Sequence, residues 1–311
     1  MKLLPLVLVF LPFTISCSEQ AESRYLNHLF SIYYGKAKDD PLGSVGGIAV
    51  DTQSEEIYIA DSSNRRLVVF NKNGDYITDY RNFGNLPSAG NVTIGRDGNV
   101  LVTTGFSPLI AVISPIGKFI KHTDLSVTPD GVAHPAKIVI DNEGRYIVQD
   151  IKNLRVLVFS DDWEFQYQLG TKGAEKGGLL APAGLATDIE GNIYITDMKQ
   201  KMVSVFSADG KFIRRFGTPG AGEGTLSRPS DVALDSQGRV YVLDSGRHTI
   251  LVYDSGGNFL YEKGGFGNFD GAFNSPYTMM IDRTTNRLLT AEPYMSRVQV
   301  FKLDVEKSKN D

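Results

Sequence analysis

The chain has 311 residues, a formal net charge of −4 at pH 7 and a single cysteine. Recognition of a phosphate backbone needs a basic face, so this mildly acidic composition argues against a nucleic acid partner. One cysteine leaves no partner for an internal disulfide, and the length suits a fold that grows by adding repeats better than one ordinary core.

The first residues resemble an export signal. A short basic region at residues 1–2 precedes an apolar run at residues 3–13, which is too short to span a bilayer as a helix. Residues 14–16 and Cys17 then resemble the cleavage box of bacterial lipoproteins, with threonine at position 14 where leucine is usual. We predict a lipoprotein-type signal peptide over residues 1–16 and lipidation of Cys17. An ordinary secretory signal with an incidental cysteine is the alternative.

Lipidation would anchor the exported protein to a bacterial membrane, facing the periplasm or at the cell surface, without a spanning helix. Residues 17–24 are polar and form the predicted tether. Residues 25–34 then have the composition of a β-strand, but no neighbouring segment of the sequence offers that strand a partner.

Residues 182–217 show the repeating unit of the chain most clearly. Four short β-type runs are separated by turn residues that include glycine, which is typical of consecutive hairpins. The residue that ends the first run recurs every 44 to 47 positions, as Asp51, Gly95, Asp141, Asp188, Asp235 and Asp282. An acid after the second run and an aromatic residue at the end of the third recur in phase. Six such units predict an all-β, six-bladed β-propeller of four-stranded antiparallel blades over residues 25–302.

The sixth repeat contains only three of its four strands before the charged tail at residues 303–311. A propeller must close its ring to remove exposed strand edges. We therefore predict that a strand within residues 26–34 completes the last blade.

Two segments, DSSNRRLVVF at residues 61–70 and DIKNLRVLVF at residues 150–159, share an aspartate, an asparagine three positions later, an arginine and an apolar run ending at phenylalanine. Together with GGIAVD at residues 46–51 and FGNFDGAFNSP at residues 266–276, they resemble the NHL-repeat family of six-bladed propellers over residues 46–301. The resemblance implies the architecture. It leaves the function open, because this fold occurs in enzymes, RNA-binding proteins and protein-binding modules.

The acids that follow the second strands have a structural explanation. An aspartate at such a turn can accept hydrogen bonds from backbone N–H groups and pair with a following arginine. We expect this role for Asp61, Asp150, Asp197 and Asp244.

A metal-dependent lyase acting in the central channel is one alternative function. Peptide-amidating lyases of similar architecture hold zinc through three histidines. The four histidines of this chain are His28, His122, His134 and His248. Only His134 and His248 are expected near one rim, so three converging zinc ligands are not predicted.

A calcium-dependent lactonase of the gluconolactonase type is the other enzyme alternative, with Asp231 and Asn91 as candidate channel ligands. The sequence contains no Gly-x-Ser-x-Gly motif and no cysteine within the repeats, so nucleophilic hydrolysis is not predicted.

In propellers, the loops that enter the first strand and those that join the second to the third gather at one face around the channel. The residues that we expect at this face are His134, Lys137, Arg228, Asp231, Arg247, His248, Tyr277 and Tyr294. A mixture of aromatic, basic and acidic side chains suits a peptide or a glycan.

We therefore predict an envelope-anchored monomer that binds a protein, peptide or glycan without catalysis. No catalytic residue, metal ligand or cofactor is assigned; zinc or calcium in the channel belongs to the enzyme alternative.

Overall fold

The computed structural model describes residues 26–173 and 175–303. Within these residues the chain forms six four-stranded antiparallel sheets, which confirms the predicted six-bladed β-propeller. In five blades the order of strands in the sheet follows the order in the chain. The predicted signal peptide, Cys17 and the tether lie outside the described residues, as does the tail from residue 304.

The strands of each blade are named A to D from the channel outwards. Blade 1 has strands Val45–Val50, Ile57–Asp61, Arg66–Phe70 and Tyr76–Tyr80. Blade 2 has Asn91–Ile94, Val100–Thr103, Leu109–Ile113 and Phe119–Asp124. Blade 3 has Pro135–Ile140, Tyr146–Asp150, Arg155–Phe159 and Phe165–Leu169. Blade 4 has Pro182–Thr187, Ile193–Asp197, Met202–Phe206 and Phe212–Phe216. Blade 5 has Pro229–Leu234, Val240–Asp244, Thr249–Tyr253 and Phe259–Gly264. Blade 6 has Thr278–Asp282, Arg287–Glu292, Arg297–Lys302 and, as strand D, Asn27–Ile32.

Smaller elements lie between these strands. Thr171–Lys172 pairs in parallel with Gly178–Leu179 before blade 4, and Thr218–Pro219 pairs with Thr225–Leu226 before blade 5. A 3-10 helix spans Pro293–Met295 in the loop between strands B and C of blade 6. No helix within the described ranges is long and apolar enough to cross a bilayer.

The burial of each strand follows from its place in the blade. Strands B and C are covered on both sides by neighbouring blades. Every residue of Ile57–Asp61 and Arg66–Phe70 is buried, and all are apolar except the paired Asp61 and Arg66. Strand D faces solvent, and Phe212–Phe216 correspondingly includes exposed and half-buried positions. The turn between strands C and D of blade 4 has Gly210 at φ +84°, a conformation that glycine adopts without strain.

Apolar side chains from adjacent blades form the core. Each cluster combines residues of two neighbours; for example, Ile59 and Phe70 of blade 1 pack with Val298 and Val300 of blade 6. The A strands contact one another in sequence around the channel, and strand A of blade 6 contacts strand A of blade 1. Leu303, which the sequence assigned to the tail, is 5% exposed and packs between blades 5 and 6.

The closing strand joins the two ends of the ring, as the sequence predicts. Asn27–Ile32 is antiparallel to Arg297–Lys302, with Ile32 opposite Val298 and His28 opposite Phe301. The ring is thus closed by main-chain hydrogen bonds between residues far apart in the sequence.

The acids that end the B strands bind backbone N–H groups as predicted. The predicted pairing with a following arginine holds for Asp61 and Asp150, whereas Asp197 binds Gln200 and the side chain of Arg247 pairs with Glu262 rather than with Asp244. Asp61 accepts hydrogen bonds from the Gly43 N–H, Asn64 Nδ2 and Arg66 Nε, each at 2.9 Å. The equivalent acids also bind backbone N–H groups of the loop entering their own blade: Asp150 that of His134, Asp197 those of Leu180 and Ala181, and Asp244 those of Ser227 and Arg228. These acids therefore tie the entry loops to strand B.

We expect Ile32→Ala to lower the free energy of unfolding by about 2–5 kcal/mol, because its buried side chain helps to hold the closing strand in the core. Leu29→Ala in the same strand is the control, since Leu29 is 42% exposed and should contribute far less. Urea titration of both variants measures the difference. Equal losses would contradict the assigned register.

Candidate ligand-binding site

One position recurs in register in all six A strands, four residues before the residue that ends the first run of each repeat. Its occupants are Gly47, Asn91, Lys137, Gly184, Asp231 and Thr278. We call this set the channel layer. Four blades contribute polar side chains to it, and blades 1 and 4 contribute glycine.

Asp231 connects several blades within the channel layer. Its Oδ1 accepts hydrogen bonds from Lys137 Nζ at 2.5 Å and from the Val232 N–H at 2.8 Å. Its Oδ2 accepts from Thr278 Oγ1 at 2.6 Å and from the Met279 N–H at 2.9 Å. Asp231 is 1% exposed, so these four donors and the ammonium charge offset the cost of burying a carboxylate.

The ion pair of the channel layer runs from strand A of blade 3 to strand A of blade 5, past blade 4. Gly184 of blade 4 makes this possible, because a Cβ there would lie 2.4 Å from the Asp231 Cα. A Cβ on Gly47 would similarly lie 2.8 Å from the Asn91 Cγ. Both glycines are therefore required by the close approach of neighbouring A strands.

The channel opens on one side of this layer into a cavity of about 1020 Å³, here called the mouth cavity. Its walls include the residues one position before the channel layer, namely Gly46, Gly90, Ala136, Ala183, Ser230 and Tyr277. Five of these residues are small, which gives the cavity its width. Tyr277 alone projects a large side chain into it.

Exposed aromatic rings surround the mouth cavity. Phe106 of blade 2 is 80% exposed, and Tyr277 and Tyr294 of blade 6 are 56% and 84% exposed. An aromatic ring offers a large apolar surface, and the tyrosines add a hydroxyl for hydrogen bonding. Exposed rings gathered around one concave surface are typical of a binding site.

The Tyr277 phenol lies in the field of two charged residues of the cavity. Although Tyr277 is partly exposed, desolvation of its phenol by the surrounding protein raises the pKa, the carboxylate of Asp231 raises it further, and the guanidinium of Arg228 opposes both effects. The phenol is consequently protonated at neutral pH and can both donate and accept a hydrogen bond.

The structure brings five of the eight predicted face residues together around the mouth cavity. They are Lys137, Arg228, Asp231, Tyr277 and Tyr294. Lys137 and Asp231 lie at the floor, whereas Arg228 is exposed at the rim.

The other three predicted face residues point elsewhere. Arg247 forms a bidentate ion pair with Glu262 of strand D, at 2.6 and 2.7 Å, which directs it outwards along blade 5. His248 adopts φ +59°, and its Nδ1 accepts a hydrogen bond from the Ser275 N–H at 3.0 Å. His134 donates its backbone N–H to Asp150 but does not line the cavity. Their placement at the channel is therefore corrected.

Three residues that were not predicted from the sequence also line the cavity: Phe106, Ile151 and Met198. Phe106 is in register with Tyr294, because each lies two residues after the acid position of its repeat, which is Thr104 in blade 2 and Glu292 in blade 6. The signal was weak, since Thr104 replaces the acid that marks this position in the other blades.

The histidines considered as zinc ligands lie apart in the fold. His28 is in the closing strand, with its Nε2 at 2.9 Å from Ser31 Oγ. His122 lies within strand D of blade 2, and its Nε2 is 3.2 Å from the Phe83 carbonyl oxygen. Across residues 26–173 and 175–303, no three or more His, Cys, Asp or Glu side chains are grouped closely enough to hold a metal ion.

The cavity at the opposite mouth of the channel is smaller, with a volume of about 350 Å³. Arg283 crosses part of it, donating from Nε to the Leu234 carbonyl at 2.9 Å and from Nη2 to the Thr187 carbonyl at 2.7 Å. The two ends of the channel therefore differ, and the wide one carries the exposed aromatic rings.

We expect Lys137→Met to lower the free energy of unfolding by about 3–5 kcal/mol, because it leaves Asp231 buried without its cation. The double variant Lys137→Met/Asp231→Asn should recover most of this loss, since no uncompensated charge remains. Chemical denaturation of both proteins measures the two values.

Lys211→Met is the control for that comparison, because its partner Asp209 forms a solvent-exposed pair and no measurable loss is expected. If the double variant is no more stable than Lys137→Met, the ion pair does not have the role assigned to it.

Comparison with known proteins supports the fold. Residues 176–265 match a family described as "6-bladed beta-propeller". The Drosophila melanogaster protein brain tumor is 27% identical over 130 residues, which is 40% of this chain and 12% of that protein. The similarity thus spans a small part of the length of that relative.

Several solved structures have the same architecture. A Bacteroides thetaiotaomicron protein of unknown function has a TM-score of 0.67 at 14% identity, covering 91% of this chain and 74% of its own. A gluconolactonase from Xanthomonas campestris has a TM-score of 0.62 at 14% identity, covering 91% and 89%. A catalytically inactive virginiamycin B lyase from Staphylococcus aureus, with quinupristin, has a TM-score of 0.61 at 14% identity, covering 85% and 96%.

At these identities the structural matches establish the fold alone, and proteins of this architecture carry unrelated activities. The chain is a six-bladed β-propeller, and its mouth cavity is lined by the entry loops and the loops between strands B and C.

Proposed function

We propose that this chain is an NHL-type propeller of the bacterial envelope that binds a peptide or glycan in the mouth cavity without changing it chemically. It would act there as a monomeric binding or scaffold module. The observation that carries the proposal is the group of exposed aromatic rings around a cavity whose floor is a buried polar network.

The size of the cavity supports this function. Small-molecule sites have volumes of about 300–1,000 Å³, so a cavity of about 1020 Å³ can take a ligand of that size or several residues of a longer chain. Its pre-formed floor also favours binding, because Asp231 already holds Lys137 in place and little ordering is required when a ligand arrives.

The rings at the rim supply contact area, and the floor supplies directional contacts. Tyrosine at the centre of an interface contributes strongly to affinity because it buries a large surface at low cost in conformational entropy. Tyr277 lies at the wall of the cavity and Tyr294 at its rim, so one ligand can contact both.

We expect the double variant Tyr277→Ala/Tyr294→Ala to weaken binding at least tenfold, as the loss of about 2 kcal/mol from such anchors implies. The measurement is fluorescence anisotropy with a defined panel of labelled peptides and oligosaccharides. Phe266→Ala is the control, because Phe266 is 67% exposed but does not line the mouth cavity.

Two outcomes would overturn the proposal. Panel members that bind the double variant as tightly as the parent protein would place the site elsewhere. A bound ligand recovered with a broken or rearranged bond would replace binding by catalysis. In that case elemental analysis for zinc or calcium would test the metal-dependent lyase or lactonase alternative.

The envelope location is a separate part of the proposal and is motivated by the signal-like segment before Cys17. We expect the full chain to fractionate with membranes when produced in a bacterial host, and Cys17→Ser to move it to the soluble fraction. Intact mass spectrometry distinguishes a lipid-modified Cys17 from an unmodified one. A Cys17→Ser protein that stays in the membrane fraction would contradict lipidation as the anchor.

A further inference from the structure

The floor of the mouth cavity has hydrogen-bond donors that lack an acceptor among the described residues. Lys137 Nζ carries three protons, and Asp231 Oδ1 is its one hydrogen-bond acceptor among the residues described by the structure. Asn91 occupies the equivalent position in blade 2. Its Oδ1 accepts the Val92 N–H at 2.8 Å, while its Nδ2 has no acceptor in that same part of the chain. Lys137 and Asn91 belong to adjacent A strands and both line the cavity.

The acid at the floor cannot satisfy a ligand's donors. Asp231 is the one acidic residue among those lining the mouth cavity, and both of its oxygens already accept two hydrogen bonds each from the protein. Arg228 adds a second positive charge at the rim. The charges that line the cavity therefore favour an anionic ligand.

The wall above the floor has the opposite polarity. The hydroxyl of Ser62 donates to the Ala89 carbonyl at 2.7 Å, and that of Ser245 donates to the Arg228 carbonyl at 3.2 Å. Because each hydroxyl proton is already used, the free lone pairs can accept hydrogen bonds from a ligand. A complementary ligand would therefore place its hydrogen-bond acceptors at the floor of the mouth cavity and its donors beside the wall above the floor.

On the basis of the proposed binding function, we propose that the mouth cavity binds the C-terminal end of a peptide chain, with its carboxylate on Lys137 and Asn91. A peptide terminus has two acceptor oxygens at the end and N–H donors behind them, which is the order of polarity in the cavity. Apolar side chains of such a peptide would lie against Phe106, Ile151 and Met198.

A neutral glycan fits the same surface less well. Sugar hydroxyls need acceptors as well as donors close to the ring, and the one acid among the residues that line the cavity, Asp231, already accepts four hydrogen bonds from the protein. The donor-rich floor also lies beside an ammonium group, which forms its strongest hydrogen bonds with an anion.

The experiment compares one library of labelled N-acetyl tripeptides in two forms, with free C-terminal carboxylates and with C-terminal amides. We expect the free acids to bind the full-length protein about tenfold more tightly than the matching amides, because the amide form loses charge-assisted hydrogen bonds. This comparison needs no variant, so it does not depend on a substituted protein folding.

Two variants test whether the preference for free acids arises at the floor of the mouth cavity. Lys137→Met/Asp231→Asn should reduce the ratio of acid to amide affinity to about one. Lys121→Met, a change on the exposed side of strand D of blade 2, should keep the full ratio.

Equal affinities of acid and amide for the parent protein would overturn the inference. If both forms then lost binding in Tyr277→Ala/Tyr294→Ala, the proposed binding function would stand without the carboxylate site. Binding of a uronic acid oligosaccharide with no tripeptide bound would overturn the peptide assignment. If neither class of probe bound, both the inference and the proposed function would fail.

Discussion

The carboxylate of Asp231 is the point on which the centre of the propeller depends. From strand A of blade 5 it binds Lys137 of blade 3 and Thr278 of blade 6, and its Cα fills the space beside Gly184 of blade 4. A buried acid is stable only when donors surround it, so its neighbours must keep their positions. One side chain thereby links four of the six blades at the channel.

This constraint explains why the two ends of the channel differ. The ion pair lies in the channel layer between the two cavities, and the small residues on one side of it leave a wide cavity. On the other side Arg283 spans to the carbonyl oxygens of blades 4 and 5 and narrows the opening. The closing strand Asn27–Ile32 and the apolar packing between blades keep the six A strands in place around the channel.

The sequence predicted the fold almost completely because its signals are local and repeated. Turn residues, strand patterns and residues recurring at fixed intervals predicted the six blades. The absence of a fourth strand in the last repeat predicted that an N-terminal strand closes the ring.

The site was predicted in part. Register placed Asp231 and Tyr277 at the channel, but the orientation of Arg247 depends on Glu262 in another strand, and that of His248 on a backbone with φ +59°. Phe106 was missed because Thr104 interrupts the repeat. Contacts between segments far apart in the sequence therefore set the orientation of these side chains, and the repeat pattern does not reveal such contacts.

A crystal structure of the protein with a free-acid tripeptide bound would test the proposed carboxylate site most directly. We expect carboxylate oxygens at about 2.7–3.2 Å from Lys137 Nζ and Asn91 Nδ2, with the contact between Lys137 and Asp231 retained. A peptide seated with its amino end at the floor, or bound outside the mouth cavity, would contradict the proposed site.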